Sequence, residues 1–178
     1  VPSPFELPTP PPKEDIGLVE PGDLILPEHH NKKRAWLKTI FDHARKQIPM
    51  TIQGEWFLNA WSLIREVKEG DPVLAIDHNF MVDAIQKLYD YLEPWVFDTP
   101  ESVALMNRFK ELSTSVRKVA YGDYVMAQDH NTLVEMIQIL YDLCKYLIGP
   151  RIMSSALAAM VLTAGQIPLF VVPIEVVG

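Results

Sequence analysis

The chain has 178 residues, 48% of them apolar, and a formal net charge of −7, which is material for one or two ordinary buried cores. That charge, without a Lys/Arg stripe to neutralise a row of phosphates, excludes nucleic acid as an expected partner. A lone cysteine, Cys144, closes no internal disulfide, and its place on an apolar helical stripe reads as a small core residue.

Residues 1–17 open the chain as an arm. Pro2, Pro4, Pro8, Pro10, Pro11 and Pro12 fix φ and remove amide donors, which predicts an extended, polyproline-like segment. No charged segment followed by an apolar run stands at the start, so a signal peptide is not expected.

Between residues 18 and 148 one helical unit is written three times. Residues 70–92 align without gaps on 122–144, 52 positions later, with 13 of 23 residues identical. A weaker copy at 22–42 keeps Gly22, Asp23, Leu26, His30, Asn31 and Asp42. Val19, Val67 and Val119 each precede the Gly-Asp pair by three positions, so the unit spans about 50 residues. It reads as helix, Gly-Asp loop, extended apolar step, Asp-His-Asn, second helix.

Each part has an expected physical role. Gly22, Gly70 and Gly122 are assigned as left-handed C-caps that end the preceding helix. Asp77 and Asp129 are assigned as N-caps, offering carboxylates to the free amides of the first turn. The run Lys32-Lys33-Arg34 reads as a solvated helix face. Linking helices are predicted over 54–69 and 100–121, the second with Thr99 as N-cap and Pro100 at the first helical position.

Val82, Ile85, Tyr89 and Leu92 recur at spacings of three and four, as do Val134, Ile137, Tyr141 and Cys144, giving each second helix an apolar seam. Met81, Leu88, Leu133, Met136 and Leu140 widen the seam enough for a multi-helix core or a trimeric bundle. Val82, Ile85, Tyr89, Val134, Ile137 and Tyr141 are therefore the predicted oligomer contacts. Residues 149–178 form a third segment, uncharged from Ile152 to Ile174. Gly165, Pro168 and Pro173 interrupt it, so a membrane span is not expected. A small-residue helix at 154–163 and a β-strand carrying the contact residues Phe170 and Val172 are predicted, covered by another subunit or a following domain.

The repeated Asp-His-Asn is the constellation that could bear chemistry. Contiguous residues at a helix start point in different directions, so a metal would need His78 and His130 to converge between copies or subunits. Against these candidates stands a capped helix start whose His and Asn bond to the preceding loop. No Gly-rich phosphate loop, nucleophile elbow or His-Glu-x-x-His spacing is present in the sequence, and neither catalysis nor a cofactor is expected. The tryptophans at helical spacing read as core or subunit contacts.

The element GD, apolar step, Ala, Asp-His-Asn, apolar-Val-acid-x-Ile resembles helical segments of tail-fibre and other virion structural proteins of phages and archaeal viruses. It covers 70–92 and 122–144 well and 22–42 in part, where Glu28-His29-His30-Asn31 lacks the Asp cap. The resemblance implies a non-enzymatic virion component, a homotrimer in a tail fibre, spike or attachment filament, with itself and other virion proteins as partners. The fold expected is mainly α: three tandem helix-loop-helix repeats between a proline-rich arm and a C-terminal β-strand. The alternative is a cytoplasmic helical-repeat adaptor or scaffold that binds a protein partner. In an adaptor the copies pack on one another inside one chain, whereas in a fibre equivalent helices from different chains meet at an axis.

Overall fold

Apolar residues at helical spacing, bounded by a Pro start or an extended residue, produce six α-helices in the computed structural model, which describes residues 6–148. The helices are α1 (Pro12–Ile16), α2 (Pro27–Arg45), α3 (Ile52–Ser62), α4 (Ala75–Leu92), α5 (Pro100–Ser115) and α6 (Ala127–Leu143). The mainly helical expectation is met among these residues. The small-residue helix, the strand, Phe170 and Val172 lie outside the described residues.

α2, α4 and α6 are the second helices of the three copies, and each packs against the other two. Their seams make the centre of one core. Leu37, Ile40, Ile85, Leu88, Ile137 and Leu140 are completely enclosed there. Six predicted contacts, Val82, Ile85, Tyr89, Val134, Ile137 and Tyr141, are buried in this same core. The alternative of a multi-helix core within one chain is what their packing satisfies, and their apolar surface is consumed without a second chain.

The first helices of the units lie outside: α1 rests on α6 and α2, α3 on α4, and α5 on α6. α5 starts as its sequence requires, the Thr99 hydroxyl accepting from the Ser102 amide at 3.0 Å with Pro100 beginning the helix. The stacked Tyr89 and Phe109 rings, 4.1 Å between centroids, join α5 to α4. Cys144 is buried, as its stripe position implied, and burial pushes its thiol up to about 12.

Three expectations need correction. The linking helices stop early, at Ser62 and Ser115 instead of 69 and 121. The residues after them run extended because their backbone groups are taken by side chains of another copy. The glycines are not helix caps. Gly22, Gly70 and Gly122 have φ of +95°, +89° and +91°, each inside a reverse turn well beyond the helix end. These turns are closed by Asp23 N–H to Glu20 O, Asp71 N–H to Lys68 O and Asp123 N–H to Ala120 O; a positive φ at the third turn position is the type II geometry that favours glycine.

Finally, the arm gives way to structure before residue 17. α1 is the shortened first helix of the first unit. Ile16 is buried in the core, and the Lys13 amide donates to Gln138 Oε1 on α6 at 2.9 Å.

Candidate functional site

The Asp-His-Asn triplets sit at the first turns of α4 and α6, with His29-His30-Asn31 in the same place on α2. Each Asn clamps both backbone groups of the valine that precedes the next Gly-Asp turn. Asn31 Oδ1 accepts from Val67 N–H at 2.9 Å while its Nδ2 donates to Val67 O at 2.8 Å. Asn79 holds Val119 at 2.8 Å in both directions. Asn131 holds Val19 at 2.9 Å in both directions.

The neighbouring histidine repeats the order. His30 Nε2 pairs with Arg65 O at 2.8 Å, His78 Nε2 with Arg117 O at 2.9 Å, and His130 Nε2 with Gly17 O at 2.9 Å. A carbonyl only accepts, so Nε2 carries the proton in each ring. The first copy thus grips the second, the second the third, and the third returns to the first. The three copies close as a cyclic, pseudo-threefold ring inside one chain.

Asp77 and Asp129 are not N-caps. Leu74 and Met126 occupy the cap positions, and the carboxylates stand at the third helical residue. Each reaches back to the cap amide, Leu74 N–H to Asp77 Oδ2 and Met126 N–H to Asp129 Oδ2, both at 2.7 Å. Each also receives a fork from arginine: Arg65 on Asp77 at 2.7 and 2.8 Å, Arg117 on Asp129 at 2.8 and 2.7 Å. The aspartates are buried and the arginines half exposed, so each bidentate pair fastens the extended step to the helix start it leads into.

The first copy lacks both partners. Counting back 48 residues, Gly17 replaces Arg65 and His29 replaces Asp77. His29 Nδ1 still accepts from Leu26 N–H at 3.0 Å, so the back-capping bond persists while the ion pair is gone.

This placement changes what substitutions should do. Asp77→Ala removes the cap bond and both arginine bonds, a loss of about 2–3 kcal/mol. Ser at the third helical position is too short to take the arginine fork, so Asp77→Ser should cost nearly as much as Ala. Asp77→Glu, which suits that position, should cost less than half as much. Urea denaturation of the three variants checks the order; equal stability for Ser and wild type would restore the N-cap assignment.

The centre of the ring holds an unexpected charge. Lys33, assigned from sequence to a solvated face, is 3% exposed. Its Nζ lies 2.9 Å from His130 Nδ1. Burial pulls its pKa down to about 7, opposed by Asp129. His130 is held down to about 3 by burial and then by Lys33. Burial also lowers His30 and His78. The corresponding residues of the other copies are Met81 and Leu133, both fully enclosed. Lys33 therefore stands in a core column, a signal that was present in the alignment of the copies.

Comparison with known protein families, curated proteins and solved structures finds no match.

His78 and His130 each spend Nε2 on a carbonyl, and Lys33 occupies His130 Nδ1. His78 Nδ1 is buried without a hydrogen-bond partner. Among the described residues no group of three or more His, Cys, Asp or Glu converges as a metal site. The groups that looked chemical in sequence are the joints of the ring.

A surface feature escaped the sequence reading. Two of the Gly-Asp turns, at 70–71 and 122–123, border a groove of about 1600 Å³ together with the extended steps and the first turns of α2 and α4. Leu24 is 79% exposed and Tyr124 85% exposed on its walls. Periodicity could not find it, because it joins helix starts of two copies to irregular segments drawn from all three.

Proposed function

We propose that the protein is a non-enzymatic scaffold or adaptor that presents this grooved face to a protein partner. The observation that carries the reading is the unpartnered cluster of large apolar side chains on the irregular segments and the first turn of α4, including Leu24, Ile76, Tyr121 and Tyr124. Contiguous exposed apolar surface of this kind marks interaction sites, and tyrosines supply much of the contact energy in such interfaces. The polar residues of Asp-His-Asn support the same reading, since they are engaged in holding the copies together.

The packing of the copies inside one chain favours an adaptor over a fibre in which equivalent helices of three chains meet. A virion role, which the resemblance implies, would use the same face toward another virion protein.

The test joins folding to binding. A photo-crosslinking amino acid at position 124, introduced in cells that make the protein, should capture one defined polypeptide in a fixed ratio. The same group at position 110, on α5 and away from the groove, should not. Leu24→Ser with Tyr121→Ser should abolish that capture while shifting Tm by no more than about 2 °C, because both side chains are exposed. Unchanged capture in the double variant, or no position-dependent capture, overturns the reading.

A further inference from the structure

The apolar walls of the groove are rimmed by one sign of charge. Glu28, Glu66, Glu69, Asp71 and Asp123 line it, against Lys32. Lys32 is paired with Glu28 and Asp15, and Glu66 with Arg34. Glu69, Asp71 and Asp123 are exposed and make no ion pair among the described residues. Asp71 lies in the field of the Arg65 guanidinium, but with Glu69 and Asp123 beside it the rim of the apolar trough stays net acidic, within a chain whose net charge is −7. A second copy of this chain would bring the same acidic rim against them, and like charges brought together at an interface are repelled.

The backbone of the groove adds a second preference. Residues 24–26 and 72–74 are without helix, and the Ile25 and Val73 amides, both in groove-lining residues, make no hydrogen bond among the described residues. Extended segments with free amides can pair with another extended chain, with side-chain pockets adding selectivity.

We propose that the groove binds an extended polypeptide segment whose apolar side chains are flanked by lysine or arginine. The inference rests on the protein-binding reading above and specifies its partner. Apolar side chains of the segment enter between Leu24, Val73 and Tyr124, and its cations meet Glu69, Asp71 and Asp123. The carboxylates raise the association rate and set selectivity, while the apolar contacts set the lifetime of the complex.

Panning a random dodecapeptide display library on the full chain tests this. The enriched peptides should place Lys or Arg within two residues of an apolar cluster. A fluorescein-labelled peptide from that pool should bind at least about tenfold more weakly to Glu69→Lys/Asp71→Lys, and weaken as salt is raised. A Tyr124→Ser variant should also lose affinity, and circular dichroism should show both variants folded. Enrichment of neutral or acidic apolar peptides whose binding depends on Tyr124 overturns the basic partner but leaves the protein-binding reading standing. Tighter binding by a peptide spanning residues 152–174 of this chain, or self-association through the same face, also overturns it in favour of another occupant. A pool with no dependence on any groove residue removes both conclusions.

Discussion

Lys33→Met should stabilise the protein by a few kcal/mol at pH 6 and remove most of its pH dependence between about pH 7 and 9. The lysine is enclosed at the centre of the ring, and its pKa falls from 10.5 to about 7 on folding. Between those values the unfolded chain binds the proton that the folded chain releases, so stability rises with pH across that window. The shift corresponds to a penalty on the order of 4–5 kcal/mol that is fully present below about pH 7. Methionine is the residue that the second copy places at this position, Met81, which is fully enclosed. The substitution leaves His130 Nδ1 without its donor, costing about 1–3 kcal/mol, so the net gain is smaller than the penalty removed.

His130 supplies a second, acid limb. Its pKa is lowered on folding to about 3, so its contribution is complete above the unfolded value of 6.5 and is lost as pH falls toward 3. Wild type should therefore gain stability from about pH 3 to pH 9, above which the raised Cys144 thiol acts in the opposite sense, and Lys33→Met should lose the gain between pH 7 and 9 while keeping the acid limb. Urea denaturation across that range measures both. A variant with the same slope between pH 7 and 9 as wild type would show that Lys33 does not titrate in that window.

Asn79→Ala should cost about 1–3 kcal/mol, more than the loss of an exposed polar residue. The asparagine satisfies both the amide and the carbonyl of Val119, a residue whose side chain is buried. Alanine leaves two partly buried backbone groups that water can satisfy only in part, a loss comparable to one fully buried group left unpaired. Hydrogen exchange provides the specific readout. Protection of the Val119 amide should fall, while the Val67 and Val19 amides keep theirs through Asn31 and Asn131. A cost below about 0.5 kcal/mol, within the range of surface substitutions, would mean that the joint does not hold the copies together.

The sequence made some of this architecture legible and hid the rest for physical reasons. The seam through Val82, Ile85 and Tyr89 is a periodic signal within one helix, and it correctly places α4 and its interior face. Periodicity says nothing about which copy or which chain fills the space opposite. A ring that closes within the chain and a bundle of three chains need the same seam. The ends of α3 and α5 were missed because neither Ser62 nor Ser115 is followed by Gly or Pro. Those helices end where Asn31, Asn79 and the two histidines offer the backbone other partners, and such partners are separated by 35 to 40 residues. The basic neighbours of Lys33 give it the sequence signature of a solvated face although it is buried. Its column, with Met81 and Leu133, and the joint replacement of Arg65 and Asp77 by Gly17 and His29, were visible only when the copies were compared position by position.

The return of the third copy to the first spans 112 and 113 residues between Asn131 and Val19 and between His130 and Gly17. During synthesis residues 17–19 leave the ribosome long before α6 exists to hold them. At about 5–20 residues per second, that delay is several seconds or more. An open solenoid can add or lose a unit and keep folding from either end; here every unit lacks one partner until the last arrives. The ring should consequently fold as a single cooperative step paced by its longest loop closure, and the incomplete nascent chain exposes an uncapped seam until α6 arrives.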